Sequence, residues 1–136
     1  MTFELTEGEL IAERDVHFTR ESLVRYAGAS GDFNPIHYRD DIAEQVGLPG
    51  VLAHGMLTMG AAVQPVIDHF GDPGRILDYR VRFTRPVVVD AESGAELHVA
   101  ATAAKDLGDG TWRVDLQVTV DGKAVLAKAQ VVVRVA

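Results

Sequence analysis

The stretch from His54 to Phe70 constrains the fold more than any other part of the chain. Gly55, Met56, Leu57, Met59, Ala61, Ala62, Val63, Val66 and Ile67 are small or apolar nearly all the way round a helix. A helix of that kind has to be buried. Pro65 lies inside it and is expected to bend it. The segment Gly71-Asp72-Pro73-Gly74 breaks the helix, and past it the chain changes character. From Arg75 onward, alternation and β-branched residues predict four strands, at 75–84, 95–105, 111–121 and 124–135. Gly108-Asp109-Gly110 and Asp121-Gly122 are hairpin turn signals. An apolar helix needs a cover, and half-apolar strands need something to cover. Together they predict an α+β domain in which a sheet wraps one long helix.

The part that precedes this helix is mixed. Residues 9–17 read as a first strand, with Leu10, Ile11 and Val16 as its apolar members. Thr19 is a good helix N-cap, and Phe18 and Leu23 hold the positions of a hydrophobic staple. The helix is expected from Arg20 to Ala27, ended by Gly28 and Gly31. Residues 30–37 read as an ordered turn, because Pro35 disfavours a helical Asn34. A short helix follows at 41–46, with Asp41 as its N-cap and Gly47 as its stop. At 136 residues the chain is sized for a single domain, 1–136.

Composition narrows the function. Lys and Arg number 13 against 20 Asp and Glu, a net charge of -7, which argues against nucleic acid as a partner. The lack of cysteine removes thiolate metal sites and cysteine nucleophiles. No apolar run approaches the ~18 residues of a membrane helix, so no membrane partner is expected. Met1-Thr2-Phe3-Glu4 does not resemble a signal peptide, and a cytoplasmic location is the default expectation.

Two short stretches carry chemistry. In Ser30-Gly31-Asp32-Phe33-Asn34-Pro35-Ile36-His37 a carboxylate and an imidazole stand five residues apart across a proline-bearing turn. Held rigidly, such a pair can grip one water, one group taking a proton while the other gives one. Imidazole, titrating at roughly 6.5, suits either role. Asn34 can brace the loop through its own backbone, and Ser30 stands at its entrance. The same residue types are also ordinary in turns. His17, His37, His54, His69 and His98 show no HExxH or short His-x-His spacing, so no metal is expected, and no cofactor is called for.

The second stretch is Ala53-His54-Gly55-Met56, at the start of the apolar helix. A helix N-terminus offers unpaired N–H groups and a partial positive charge. A glycine there lets a ligand reach the backbone. A thioester carbonyl so placed would be polarised as its oxygen gains charge. Gly55 could equally serve close helix–sheet packing, and His54 reads as a structural hydrogen-bonder. Hydration of a double bond conjugated to a thioester needs a held water, a proton relay at C2 and an anion-stabilising donor. Asp32, His37 and the Gly55 N–H can supply these.

Ser30–His37 followed by Ala53–Met56 resembles the hydratase-2 motif of the MaoC-like dehydratases. Arg82-Phe83-Thr84-Arg85-Pro86-Val87 is similar to that family's strand after its central helix. The resemblance runs over nearly the whole chain and implies a hot-dog fold. It also implies (R)-specific hydration of trans-2-enoyl thioesters, or the reverse dehydration of (3R)-hydroxyacyl thioesters, on coenzyme A or acyl-carrier protein. It puts Asp32 and His37 on catalytic positions and Gly55 on the oxyanion position. Ser30, Asn34, His54 and Met56 fall around them as loop support and substrate contacts. Within the family the chain looks closest to the catalytic beta subunit of actinobacterial (3R)-hydroxyacyl-carrier-protein dehydratases, through Leu57-Thr58-Met59-Gly60 and Gly71-Asp72-Pro73-Gly74. Some single-chain relatives carry a serine eight residues beyond the oxyanion glycine, where this chain has Val63. The resemblance implies a dimer with sheets joined side by side, either a homodimer or a heterodimer with a related hot-dog subunit. The competing readings are a hot-dog acyl thioesterase and an acyl-binding partner subunit. The first needs an acid on or near the central helix, where only Asp68 is available, near its far end. The second should lack the Asp/His pair.

Overall fold

The fold is taken from a computed structural model that describes residues 1–136. The elements run β1 (Leu10–Phe18), α1 (Arg20–Ser30), α2 (Asp40–Gln45), α3 (Gly55–Phe70), β2 (Ile76–Phe83), β3 (Ala95–Gly108), β4 (Thr111–Val120), β5 (Lys123–Ala124) and β6 (Leu126–Arg134). One antiparallel sheet has the order β1-β3-β4-β6-β2, with β5 paired to β4. Helix α3 lies against it, touching β1, β2, β3 and β4. This is the hot-dog arrangement.

Local chemistry explains most of the element ends. Thr19 caps α1 through a capping box, its side chain accepting the Ser22 N–H while the Ser22 hydroxyl accepts the Thr19 N–H. The flanking staple residues Phe18 and Leu23 are both buried. The two hairpins turn through Asp109-Gly110 and Asp121-Gly122, with positive φ at all four residues. Two successive left-handed residues make the turn whose twist matches paired strands.

The structure departs from the sequence reading in several places. Helix α1 runs through Gly28 and ends only at Gly31, whose left-handed φ of 78° closes it. The cap of α2 is Arg39 and not Asp41; Asp40 and Asp41 instead fill its first turn, where acids suit the helix dipole. The region from Arg75 holds five strands, because the last expected strand divides into β5 and β6. Helix α3 is not buried all round. Thr58, Ala62, Val63, Pro65, Val66 and Phe70 face the core, whereas Met56, Gly60, Gln64 and Asp68 follow an exposed stripe. Glycine and methionine count as apolar in a sequence, yet a helix on the open side of a sheet keeps one face outside.

The core lies between α3 and the sheet. Leu97, Val99, Val114, Val118, Val131 and Val133 are among its fully buried members. Tyr79 on β2 pins α3 by donating its hydroxyl to the Met59 carbonyl at 2.7 Å, and burial pushes that phenol above its ordinary pKa. No helix is long and apolar enough to cross a membrane.

Candidate active site

The loop from Ser30 to His37 is built from its own side chains. The Ser30 hydroxyl accepts the Asp32 N–H at 3.1 Å, and the Asp32 carboxylate accepts the Asn34 N–H at 3.1 Å. Asn34 in turn accepts the Ile36 N–H at 3.2 Å. Pro35–His37 then form a single 3-10 turn. Each polar residue satisfies the backbone two residues on, so the loop holds its shape without regular structure. Ser30 and Asn34 thus each accept a backbone N–H within the loop.

The loop is docked onto the start of α3 by histidines. His54, the N-cap residue of α3, donates Nε2–H to the Asp32 main-chain oxygen at 3.1 Å. Its ring stacks on His37, with centroids 3.8 Å apart and planes at 19°, and meets the edge of Tyr26 on α1. His54 is 1% exposed, and this burial, more than the nearby His37, pulls its pKa below the ordinary value. A neutral imidazole donating from Nε2 carries a bare Nδ1.

His37 has the opposite polarity. Its Nδ1–H donates to the Leu52 carbonyl at 2.7 Å, so that in the neutral ring Nε2 is the acceptor. Nε2 faces the Asp32 carboxylate at 3.8 Å. That gap is too long for a direct hydrogen bond and is one that a single water spans. Both facing atoms are acceptors, so one water can donate a hydrogen to each.

Asp32, His37 and His54 bring one possible ligand atom each to within 4.8 Å of one another. The two imidazole planes are nearly parallel, however, so their in-plane lone pairs do not converge on one point as metal ligands must. The Asp32–His37 pair suits a water instead.

A cleft of about 350 Å³ opens beside His37. Gly55 and Thr58 of α3 form one wall, and Phe83, Arg85, Pro86 and Val87 form another. His37 is its inner polar member at 8% exposed, whereas Asp32, half exposed, does not line the cleft and reaches it only through His37, which it faces at 3.8 Å. The structure thus brings Asp32, His37, His54 and Gly55 together. It leaves Met56 outside, since that side chain is exposed and does not line the cleft. Gly55 is the first residue of α3, so its N–H has no acceptor within the helix. A Cβ there would lie 3.0 Å from the Phe83 ring. Sequence reasoning overlooked Thr58, a polar residue in an apolar helix, which was the one signal it left. Residues 82–87, which carry part of the family resemblance, also have a place in the cleft, which Phe83, Thr84, Arg85, Pro86 and Val87 line. Arg85 donates to the Ala124 carbonyl at 3.1 Å, holding a cation at the mouth.

Known proteins share this fold. The MaoC like domain family matches residues 3–123. A 3-hydroxyacyl-thioester dehydratase X from Mycobacterium tuberculosis is 38% identical over 102 residues, which cover 75% of this chain and 32% of that protein. A solved MaoC-like dehydratase superposes with a TM-score of 0.93 at 35% identity, over 98% of this chain and 41% of its own. The R-hydratase PhaJ1 from Pseudomonas aeruginosa gives a TM-score of 0.81 at 30% identity, over 97% of this chain and 83% of its own. This chain thus spans well under half the length of the first two. With the family match running from the third residue through the last hairpin turn, and the fold superposing along its length, the chain belongs to the MaoC-like domain family.

Proposed function

We propose that this chain is a hydro-lyase that interconverts trans-2-enoyl and (3R)-hydroxyacyl thioesters. The observation that carries the reading is the Asp32–His37 pair, facing each other 3.8 Å apart, with His37 lining a cleft that Gly55 lines as well. In hydration the pair orients one water and takes a proton from it as its oxygen bonds to C3. The C2=C3 electrons move toward the thioester carbonyl, whose oxygen becomes enolate-like beside the Gly55 N–H. The pair then returns a proton to C2, so water is added with no net change in the protein. Dehydration runs the same steps backward. The names of the relatives, a 3-hydroxyacyl-thioester dehydratase and an R-hydratase, agree with this reaction and its hand.

Arg85 supports a thioester on a phosphate-bearing carrier, because it places a fixed cation at the mouth of a chain with net charge -7. The thioesterase alternative is weakened, since Asp68 at the far end of α3 is held by Arg14 at 2.5 Å and does not line the cleft. The idle-partner alternative is weakened by the intact pair. A dimer belongs to the same reading. Strands β1 and β2 are open edges of the sheet, and Leu77 and Phe83 on β2 and Met56 on α3 are exposed apolar groups.

The test is turnover of crotonyl-CoA and longer enoyl-CoA substrates by the purified chain, alone and with a related hot-dog subunit, with light scattering giving the oligomer. Formation of the (3R)-hydroxyacyl product supports the reading. No hydration under any of these conditions, or release of free coenzyme A instead, refutes it.

A further inference from the structure

Two side-chain atoms in this protein are shut off from solvent and have no hydrogen-bond partner: His54 Nδ1 and Thr58 Oγ1. The first follows from the tautomer, since His54 Nε2–H is committed to Asp32. The hydroxyl has no such explanation. Thr58 is 2% exposed on the core side of α3. A helical threonine ordinarily donates back to a carbonyl one turn earlier. Here that carbonyl, on His54, already accepts the amides of Leu57 at 3.1 Å and Thr58 at 3.2 Å, and the hydroxyl makes no bond to it. A buried donor left unused costs stability and gains nothing within the fold.

Its position suggests what it serves. Thr58 lines the same cleft as His37 and Gly55. It follows Gly55 by three residues, so the two share a face of α3. Side chains on a helix lean toward its N-terminus, which tilts the Thr58 hydroxyl back over the turn that begins with the Gly55 N–H. A carbonyl oxygen has two lone pairs, and one backbone N–H satisfies only one of them.

We propose that Thr58 is a catalytic residue, its hydroxyl donating to the thioester carbonyl oxygen beside the Gly55 N–H. The inference rests on the hydro-lyase reading and adds a second oxyanion donor to it. Thr58 lines the cleft with its hydroxyl shut off from solvent, and the half-exposed Phe83 ring, which lies beside Gly55 on the same cleft, can give way as the acyl group enters. The donor stays dry until substrate arrives, and a dry donor polarises a carbonyl more strongly than a solvated one.

Thr58→Val keeps the shape and removes the hydroxyl, and Thr58→Ser keeps the hydroxyl. Three measurements are made on wild type and both variants: kcat and KM with crotonyl-CoA, Tm, and the infrared carbonyl stretch of bound [1-13C]butyryl-CoA, which has no double bond to hydrate. In Thr58→Val, kcat should fall on the order of 100-fold. The bound carbonyl stretch should move back toward its free value, and Tm should hold or rise. Thr58→Ser should recover both turnover and the stretch. Wild-type kcat with an unchanged stretch in Thr58→Val overturns the proposal. So does a lowered Tm with kcat kept, which would make the hydroxyl an internal partner of His54. A wild-type chain that shifts the stretch through Thr58 but never hydrates crotonyl-CoA would sink the hydro-lyase reading and leave the donor in place. A wild-type chain that does neither sinks both.

Discussion

Asp32→Asn isolates the proton-accepting role of the loop from its architecture. Four contacts hold Asp32: its N–H to Ser30, its main-chain oxygen to His54, Oδ1 to Asn34 N–H at 3.1 Å, and Oδ2 facing His37 Nε2 at 3.8 Å. Asparagine keeps the first three, because its amide oxygen can replace Oδ1. Only the last changes, from an acceptor to an N–H donor that points at the acceptor nitrogen of His37. The water then loses one of its two acceptors and competes for the other. The side chain is half exposed, so stability should move by less than about 0.5 kcal/mol, or roughly 2 °C in Tm. Loss of one acid–base group costs ~100- to 10,000-fold in rate, which is about 3–5 kcal/mol of barrier. The assay follows loss of the conjugated enoyl-thioester absorbance alongside thermal melting on the same preparation. If Asp32→Asn stays folded and turns over within about threefold of wild type, the pair does not activate the water and the site is misassigned.

Other perturbations separate the remaining roles. His37→Ala should lose turnover as Asp32→Asn does, but also lose about 1–3 kcal/mol of stability, because it leaves the part-buried Leu52 carbonyl without its partner and removes the ring stacked on His54; an unchanged Tm would contradict that anchoring role. Gly55→Val should lower turnover on the order of 100-fold. Its Cβ would press only on the half-exposed Phe83 ring, which can swing outward, so Tm should stay within about 5 °C. A large loss of Tm with activity kept in the folded fraction would make Gly55 a packing residue. On the outer surface, His98 sits between Asp15 at 2.7 Å and Glu13 at 2.8 Å, joining edge strand β1 to β3. Both nitrogens can donate only in the imidazolium, and chiefly the Asp15 bond raises its pKa above the ordinary 6.5. A raised folded value means stability that is full below about 6.5 and lost as pH climbs through the raised value. Wild type should therefore out-melt His98→Gln most near pH 6 and converge with it near pH 9, at approximate values set by that window; a constant difference across the range would show that titration is not involved.

Local signals in the sequence determined a large part of this protein. The Thr19 cap, the two Asp-Gly turns, the start of the central helix and the alternation of the later strands each depend on residues a few positions apart. Chain chemistry over such distances is nearly independent of the rest of the fold. The Ser30–His37 loop was legible for the same reason, since each side chain braces the backbone two residues on. What tertiary structure alone decided is how that loop meets α3. Asp32 and His54 are 22 residues apart, and their hydrogen bond exists because α1 and the sheet bring the two segments together. The polarity of the two histidines was equally out of reach, because a tautomer is set by whichever carbonyl lies in the plane of the ring. The second wall of the cleft joins residues 83–87 to Val125 and Leu126, neighbours only through pairing of the strand ends. Thr58 shows the limit most clearly. A threonine in an apolar helix is unremarkable as a letter, and only packing on every side can leave its hydroxyl buried without a partner.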